Sequence, residues 1–495
     1  MCSSLTSIDF GNGVTSIGDF SLEFCTSLSK VNIGSSVSMI GKYVFYGCTS
    51  LNEINVESSN PSYLSLNGVL FNKNQTELIQ YPIGNTTTSY SIPDSVKSIL
   101  SDSFDFCNSL ETINIPSSVT YIDISAFNYC TSLTEINVEL SNPYYSSSKG
   151  VLFNKNQTEL ILYPIGKSST SYSIPDSVSY IGDRAFSNCT SLKTISIANS
   201  VIYIDDYAFE SCTSLTNINI PDSVTYIGEG VFSYCSSLTS IEIPNSVEKI
   251  GDNAFYSCTS LETINIGNNV IYIGDFAFYN CSSLTSIEIP NSVGKIGDNI
   301  FDSCTSLETI KISDNITTIG SNAFFNCSSL TSIEIPNSVT YIGESAFSCC
   351  ISLTTINITD SVISISDYMF YNCSSLTSID IPNSVTFIGE YAFSNCISLT
   401  SINIPDSVEE IDDFAISSCT SLTCISFEGT KDITYIGEEI FALSSVNTIH
   451  VPKSFEGDTF ANYEIEKDDK VCNGSGTASK ILTIFILWLL ILLSV

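Results

Sequence analysis

The sequence predicts an α/β repeat solenoid, a right-handed coil of about sixteen units of 23 residues with parallel strands on one face and two widened units carrying β-hairpins. Three observations lead there. Cysteines stand at 2, 25, 48, 107 and 130, and then at every twenty-third position from Cys189 to Cys419. The two irregular gaps are each fifty-nine residues, twenty-three plus thirty-six, and carry nearly the same insert: NGVLFNKNQTELIQYPIG at 67–84 and KGVLFNKNQTELILYPIG from Lys149. Finally, a chain of 495 residues is too long for one ordinary core, whereas stacked units bury a continuous core that no single unit could form.

One unit, CSSLTSIEIPNSVGKIGDNIFDS from Cys281, shows the expected elements in order. Leu284, Ile287 and Ile289 form a short β-branched run ending in period 2, which reads as a strand stopped by Pro290. Pro-Asn-Ser is the turn that leaves it. Val293 and Ile296 point inward again, Gly297 permits a bend, and Asp298 is placed to cap a short helical turn leading to the next cysteine. Phenylalanines three residues before each cysteine, from Phe186 to Phe393, form a column of core packing, with Ile416 in the last place. In the inserts, two apolar runs flank the polar Asn72-Lys-Asn-Gln, which predicts a hairpin. The repeats thus occupy 1–443, with wide units near 48–106 and 130–188. After them come a capping segment at 444–463, a polar linker at 464–480 and a hydrophobic tail at 481–495.

Composition excludes several functions. The formal charge is −35, from 17 Lys and Arg against 52 Asp and Glu, so no clustered cations are available for a nucleic-acid partner. His450 is the single histidine, which removes Ser-His-Asp and Cys-His catalysis from the repeats. No catalytic set, cofactor or metal site is predicted. The N-terminus begins inside a repeat, without a basic or apolar leader, which suggests that the chain starts upstream. The tail would reach about 22 Å as a helix, short of a ~30 Å hydrocarbon core. With the small residues before it, it reads as a GPI-attachment signal with Asn473 or Ser475 as acceptor, or else as a retained single span.

The pattern C-x-S-L-x-x-I-x-I-P-x-S-V-x-x-I-G-x-x-A-F, over about residues 2–460, resembles the BspA-like, treponemal-type class of leucine-rich repeat. NPSYLSLNGVLFNKNQTELIQYP at 60–82 resembles the variant repeats of that family. The resemblance implies surface or secreted proteins of bacteria and mucosal or parasitic protists, associated with adhesion to host cells, matrix proteins or other microbes.

Four side-chain ladders are the candidates for chemistry. Stacked cysteines would run parallel rather than toward one another, so they read as small buried apolar groups, with off-register Cys349, Cys424 and Cys472 the exceptions. Acids after the glycine, such as Asp252, Asp275 and Asp298, read as caps of the helical turn, with calcium between coils as the alternative. The outward strand position, Asn219, Glu242, Asn265, Glu288, Lys311, Glu334, Asn357, Asp380 and Asn403, forms a polar strip suited to hydrogen-bonding an extended protein or glycan. Tyrosines at 180, 203, 226, 272, 341 and 435 form a second strip. Among the sequons, those at the hairpin tips, Asn74 and Asn156, are the better glycosylation candidates. The resulting expectation is a non-enzymatic adhesion or recognition protein, held at the cell surface by its C-terminal tail, with extracellular proteins or glycans as partners. A structural coat protein and a tail-anchored intracellular scaffold are the rival readings.

Overall fold

The computed structural model of the protein describes residues 2–446 and 448–472. Each 23-residue unit folds as one coil, and the stretch from Cys281 shows how. Ser286–Glu288 is a strand whose central Ile287 is buried while Ser286 and Glu288 face out. Pro290 lacks an N–H and cannot extend the pairing. A second strand of two residues, Lys295–Ile296, again buries its isoleucine. Both strands pair in parallel with their equivalents in the next coil, Ser286 with Thr309 and Lys295 with Thr318. The coil therefore carries two ladders, and the V-x-x-I run, read from sequence only as inward-pointing, is the second.

The α part of the expected class is overturned: no helix occurs among the described residues. Where a helical turn is predicted, the chain makes successive turns with left-handed residues at two places, Asn299 (φ 53°) and Ser303 (φ 60°). A helix would satisfy its N–H groups within its own turn. Here Asn299, Phe301 and Ser303 instead donate to the carbonyls of Ser321, Ala323 and Phe325 in the following coil, over 2.8–2.9 Å. The second left-handed position is often Asn, as at 280, 326 and 372, a residue that tolerates positive φ better than most.

The acid ladder caps, but across coils. Asp275 Oδ1 accepts the N–H of Asp298, and Asp298 Oδ1 that of Ser321, each at 2.9 Å. This explains the preceding glycine. A Cβ at Gly297 would lie 2.5 Å from Asp275 Oδ1, and one at Gly320 2.3 Å from Asp298 Oδ1. The residue is small so that the carboxylate beneath it can reach the amide of the residue that follows, and Gly297 is not among the glycines of positive φ.

The core columns follow from the same register. From Phe232 to Phe393 the rings stack at 5.4–5.7 Å between centroids, with planes within 15°. Each such ring, fully buried, is worth roughly 1.5–3 kcal/mol of transfer free energy. Beside them, Cys281 is wholly buried and its thiol donates to the Phe255 carbonyl at 3.2 Å. Cys304, Cys327 and Cys350 do the same with Phe278, Phe301 and Phe324 at 3.1–3.2 Å. The thiol thus fills apolar space and gives a buried carbonyl a second donor, beside the N–H of its own coil's cysteine. Burial pushes the Cys281 thiol well above its usual range, so this rung is protonated and inert. Ser444, standing where the next cysteine is due, makes the equivalent bond to the Ile416 carbonyl at 2.8 Å.

The inserts are three-stranded. Tyr63–Leu66, Val69–Asn72 and Glu77–Gln80 form an antiparallel meander, with Asn67 and Gly68 both at positive φ in its first turn. Asn60, fully buried, ties the meander down: its Nδ2 donates to the carbonyls of Gly34 and Val37, and its Oδ1 accepts the N–H groups of Ser62 and Tyr63. The last strand then joins the second ladder, Glu77 opposite Ser98, and Tyr81 stacks on Phe104 at 5.4 Å, taking a rung of the aromatic column. The second insert repeats this with Asn142, Glu159 opposite Tyr180, and Tyr163 on Phe186. The chain divides into two compact units, Met1–Val224 and Thr225–Val495, the first holding both inserts.

Cys281→Ala removes one of two donors to the Phe255 carbonyl, which keeps the N–H of Cys258 at 3.1 Å, so urea unfolding is expected to show a loss of about 0.5–1.5 kcal/mol, whereas Cys281→Ser retains a second donor and loses less. Gly297→Ala forces the Asp275 carboxylate off its amide and is expected to lose about 1–3 kcal/mol by the same measurement. Equal stability of Gly297→Ala and wild type would contradict the close-approach account.

Candidate functional site

The outward strand face of the second unit is built from residues flanking each buried isoleucine. Glu242, Asn265, Glu288, Lys311, Glu334, Asn357 and Asp380 are all exposed. Parallel pairing sets Glu242 beside Asn265, Glu288 beside Lys311, and Glu334, Asn357, Asp380 and Asn403 in succession. Asn219 lies in the first unit, exposed and opposite Ser196. Lys311 Nζ is ion-paired with Glu288, both side chains being mostly exposed, a contact worth about 0–1 kcal/mol.

A second outward row, not singled out from the sequence, lies two residues before the first. Ser240, Thr263, Ser286, Thr309, Ser332 and Thr355 are all exposed. Period 2 in the strand was the signal that could have found it. The face thus presents hydroxyls in one row and carboxylates or amides in the other, at a rung spacing of about 4.8 Å. Nothing in it places a nucleophile beside a base.

The tyrosine strip belongs to the short-strand ladder. Tyr272, Tyr341 and Tyr435 are 40–50% exposed. Tyr272 donates to Asp252 Oδ1 at 3.1 Å, and burial followed by that bond pushes its phenol up to about 12. Lys249 Nζ sits 5.8 Å from the Tyr226 ring centroid and 5.1 Å from that of Tyr272, a cation–π arrangement. These rings are therefore partly engaged with their own neighbours.

At its C-terminal end the strand face is closed by the chain itself. Asn403 Nδ2 donates to Glu428 at 2.7 Å, Ser426 Oγ donates to Asn403 Oδ1 at 2.7 Å, and the N–H of Cys472 donates to Ser426 Oγ at 2.8 Å. Asn403 is half-buried and its amide is fully engaged by this network. Cys424 and Cys472 form a disulfide with a Cα–Cα distance of 5.6 Å, whereas the cysteines of the rungs are free. The third off-register cysteine, Cys349, takes a left-handed position of the asparagine column, where Asn372 Nδ2 lies 3.7 Å from its sulfur. Strand Tyr463–Lys467 pairs in parallel with Ile449–Val451, so the ladder runs through Lys467. His450, buried, faces Asp468 at 3.1 Å and Lys470 Nζ at 3.2 Å. It groups with Cys424 and Cys472, and separately with Glu466 and Asp468, with potential ligand atoms within 4.8 Å of one another. The joined sulfurs have no thiolate to offer a metal.

Asn74 and Asn156 are exposed at the tips of the two meanders. Among the described residues no helix is long and apolar enough to cross a membrane. Asn473, Ser475 and the tail at 481–495 lie outside the described residues.

Two parallel ladders closed by a repeated turn, with chemistry distributed along an outward face, define a repeat solenoid of the leucine-rich-repeat class. The family model described as "BspA type Leucine rich repeat region (6 copies)" matches at residues 1–87, 62–164, 165–273, 248–377 and 363–467, and the chain belongs to this family. No curated protein matches it. Among solved structures, a leucine-rich repeat protein from Bacteroides ovatus is 26% identical, with 92% of this chain and 88% of that one covered and a TM-score of 0.42. A leucine rich cell surface protein from Faecalibacterium prausnitzii is also 26% identical, with 62% and 95% covered and a TM-score of 0.38. The pneumococcal vaccine antigen PcpA is 18% identical, with 69% and 74% covered and a TM-score of 0.37.

Without reductant, unfolded protein is expected to bind label at seventeen cysteines and retain one disulfide, read by intact mass. Folded protein takes up far fewer labels. Replacing both Cys424 and Cys472 by Ser is expected to lower unfolding free energy by about 2–4 kcal/mol; a nineteenth-cysteine label without reductant would contradict the pairing.

Proposed function

We propose that the protein is a non-enzymatic recognition protein that displays the outward strand face of its second unit to an extended protein or glycan partner at the cell surface. The observation that carries this reading is the pair of outward rows on hydrogen-bonded parallel strands. Hydroxyls in one row and, Lys311 apart, acid or amide groups in the other recur there once per coil, on short strands that pair in parallel with a neighbouring coil. A partner with its own repeat would meet many similar weak contacts, whose sum between apposed surfaces exceeds any one of them. The Cys424–Cys472 disulfide supports an oxidising compartment. Attachment through residues 481–495, with Asn473 or Ser475 as a lipid acceptor, completes the proposal, and release by a phosphatidylinositol-specific phospholipase tests that part.

The face itself is tested with the purified chain on host cells, matrix proteins and a glycan array. Replacing Glu242, Glu288 and Glu334 together by Lys is expected to reduce binding roughly tenfold or more, equivalent to about 1.4 kcal/mol, with an unchanged melting temperature. Undiminished binding of the triple variant removes this face from the reading; absence of binding to any surface favours a coat function.

A further inference from the structure

The first insert interrupts the regular stacking and leaves a cavity of about 190 Å³ between the coil that carries Lys42, Tyr43 and Tyr46 and the one that carries Asp102 and Asp105. Gln80, from the last strand of the meander, and Ser101 add to its polar lining, and apolar residues, among them Ile40, Ile79, Ile83 and Leu100, line the rest. Asp105 is 3% exposed, and its Oδ1 has no hydrogen-bond partner. A buried carboxylate oxygen without a donor is expensive to maintain; the others of its kind among the described residues are three hydroxyls and Asp183 Oδ1, which has Arg184 beside it.

The groups around Asp105 do not neutralise it. Asp102, on the same turn, repels it, and the N–H of Phe106 is the contact that favours its charged form. Burial and Asp102 together push its carboxyl up to about 7. Lys42 acts on Asp102. Tyr46 reaches Asp105 from the preceding coil, with burial and then Asp105 raising its phenol. Cys107 and Cys130 adjoin it as thiols that burial holds protonated. Tyr43 and Tyr46 meet edge to face at 6.0 Å, which presents ring surface suited to a cation.

The second insert provides an internal contrast. Eighty-two residues on, Leu162 stands for Gln80, Arg184 for Asp102 and Ser187 for Asp105. There Arg184 is already paired with Glu210 at 2.8 Å. A buried carboxylate oxygen without a hydrogen bond occurs there too, Asp183 Oδ1, at the place of Ser101, but Arg184 Nε lies 3.8 Å from it; what sets the first insert apart is that no such cation stands beside Asp105.

We propose that this cavity binds a primary alkylammonium group, its charge set against Asp105 between Tyr43 and Tyr46 and its short apolar stem among the isoleucine and leucine side chains. At about 30 Å³ per water-sized group the space holds roughly six heavy atoms, enough for a butylammonium or the end of a lysine side chain. Proton balance is simple: below about pH 7 the incoming cation displaces the Asp105 proton, and above it the carboxylate is already free.

The experiment uses the full chain with n-butylammonium chloride, n-butanol as the neutral isostere and N-acetyl-lysine methylamide, read by saturation-transfer NMR and calorimetry. Saturable binding of butylammonium, weaker for butanol and weaker as pH falls from 8 to 5.5, is expected. Asp105→Asn keeps the shape and removes the charge, and is expected to weaken binding roughly tenfold or more. Gln80→Leu, copying Leu162, removes a polar group of the lining at similar volume and is expected to weaken binding. Melting curves of both variants check that they fold. Equal binding of lysine methylamide supports a protein side chain as the occupant, and preference for butylammonium supports a free amine. Butanol binding as well as butylammonium, unchanged affinity in a folded Asp105→Asn, or no saturable amine binding at all overturns the proposal.

Discussion

Each coil of this protein closes its tight turns with its own carbonyls, as Leu284 does on Cys281 and Val293 on Pro290, and satisfies the rest of its polar backbone through its neighbours. Strand N–H groups, the turn amides of Asn299, Phe301 and Ser303, the amide of Asp298 and the carbonyl of Phe255 all find their partners one coil away. Because unpaired buried backbone groups are strongly disfavoured, this inter-coil bonding dictates the residue types of the repeat. Glycine is required where a carboxylate from beneath passes close to the chain, aspartate where an amide needs an acceptor, and cysteine where a buried carbonyl takes a second donor inside an apolar column. Asparagine recurs where the chain turns left-handed.

That constraint also accounts for what the sequence could and could not reveal. The period, the parallel strands and the aromatic column were legible because they depend only on which residues recur and which are apolar. The helical turn was misread because capping rules assume that an acid serves the amides of its own turn. Asp298 looks like such a cap and instead serves Ser321, twenty-three residues on. Gly297 was read as a bend, yet its smallness serves Asp275. The opening strand of each insert was missed although Asn67-Gly68, both at positive φ, is a strong two-residue hairpin signal.

The candidate face was legible as a row and incomplete as a surface. Alternation identified Glu288 and its equivalents, and the same alternation should have added Ser286 and the hydroxyl row. What no local pattern conveys is the state of each side chain once the ladder is formed. Glu288 and Lys311 are paired with each other, and Asn403 is held by Glu428 and Ser426 beneath the disulfide-tethered end. The cavity beside Asp105 was invisible for a related reason. It arises from residues forty and sixty positions apart that meet only because an insert displaces one coil from the next.

The bonds between coils join like positions, so the molecule measures its length in whole units. Joining the chain to itself at any two equivalent points preserves every ladder, whereas a shift of a single residue turns core isoleucines outward on both strands at once. Copy number is thus a dimension in which the repeat tolerates change by its geometry: an exchange between near-identical segments, such as the SSLTSIEIPNSV runs at 236–247, 282–293 and 328–339, would lengthen or shorten the array by whole coils and keep its register.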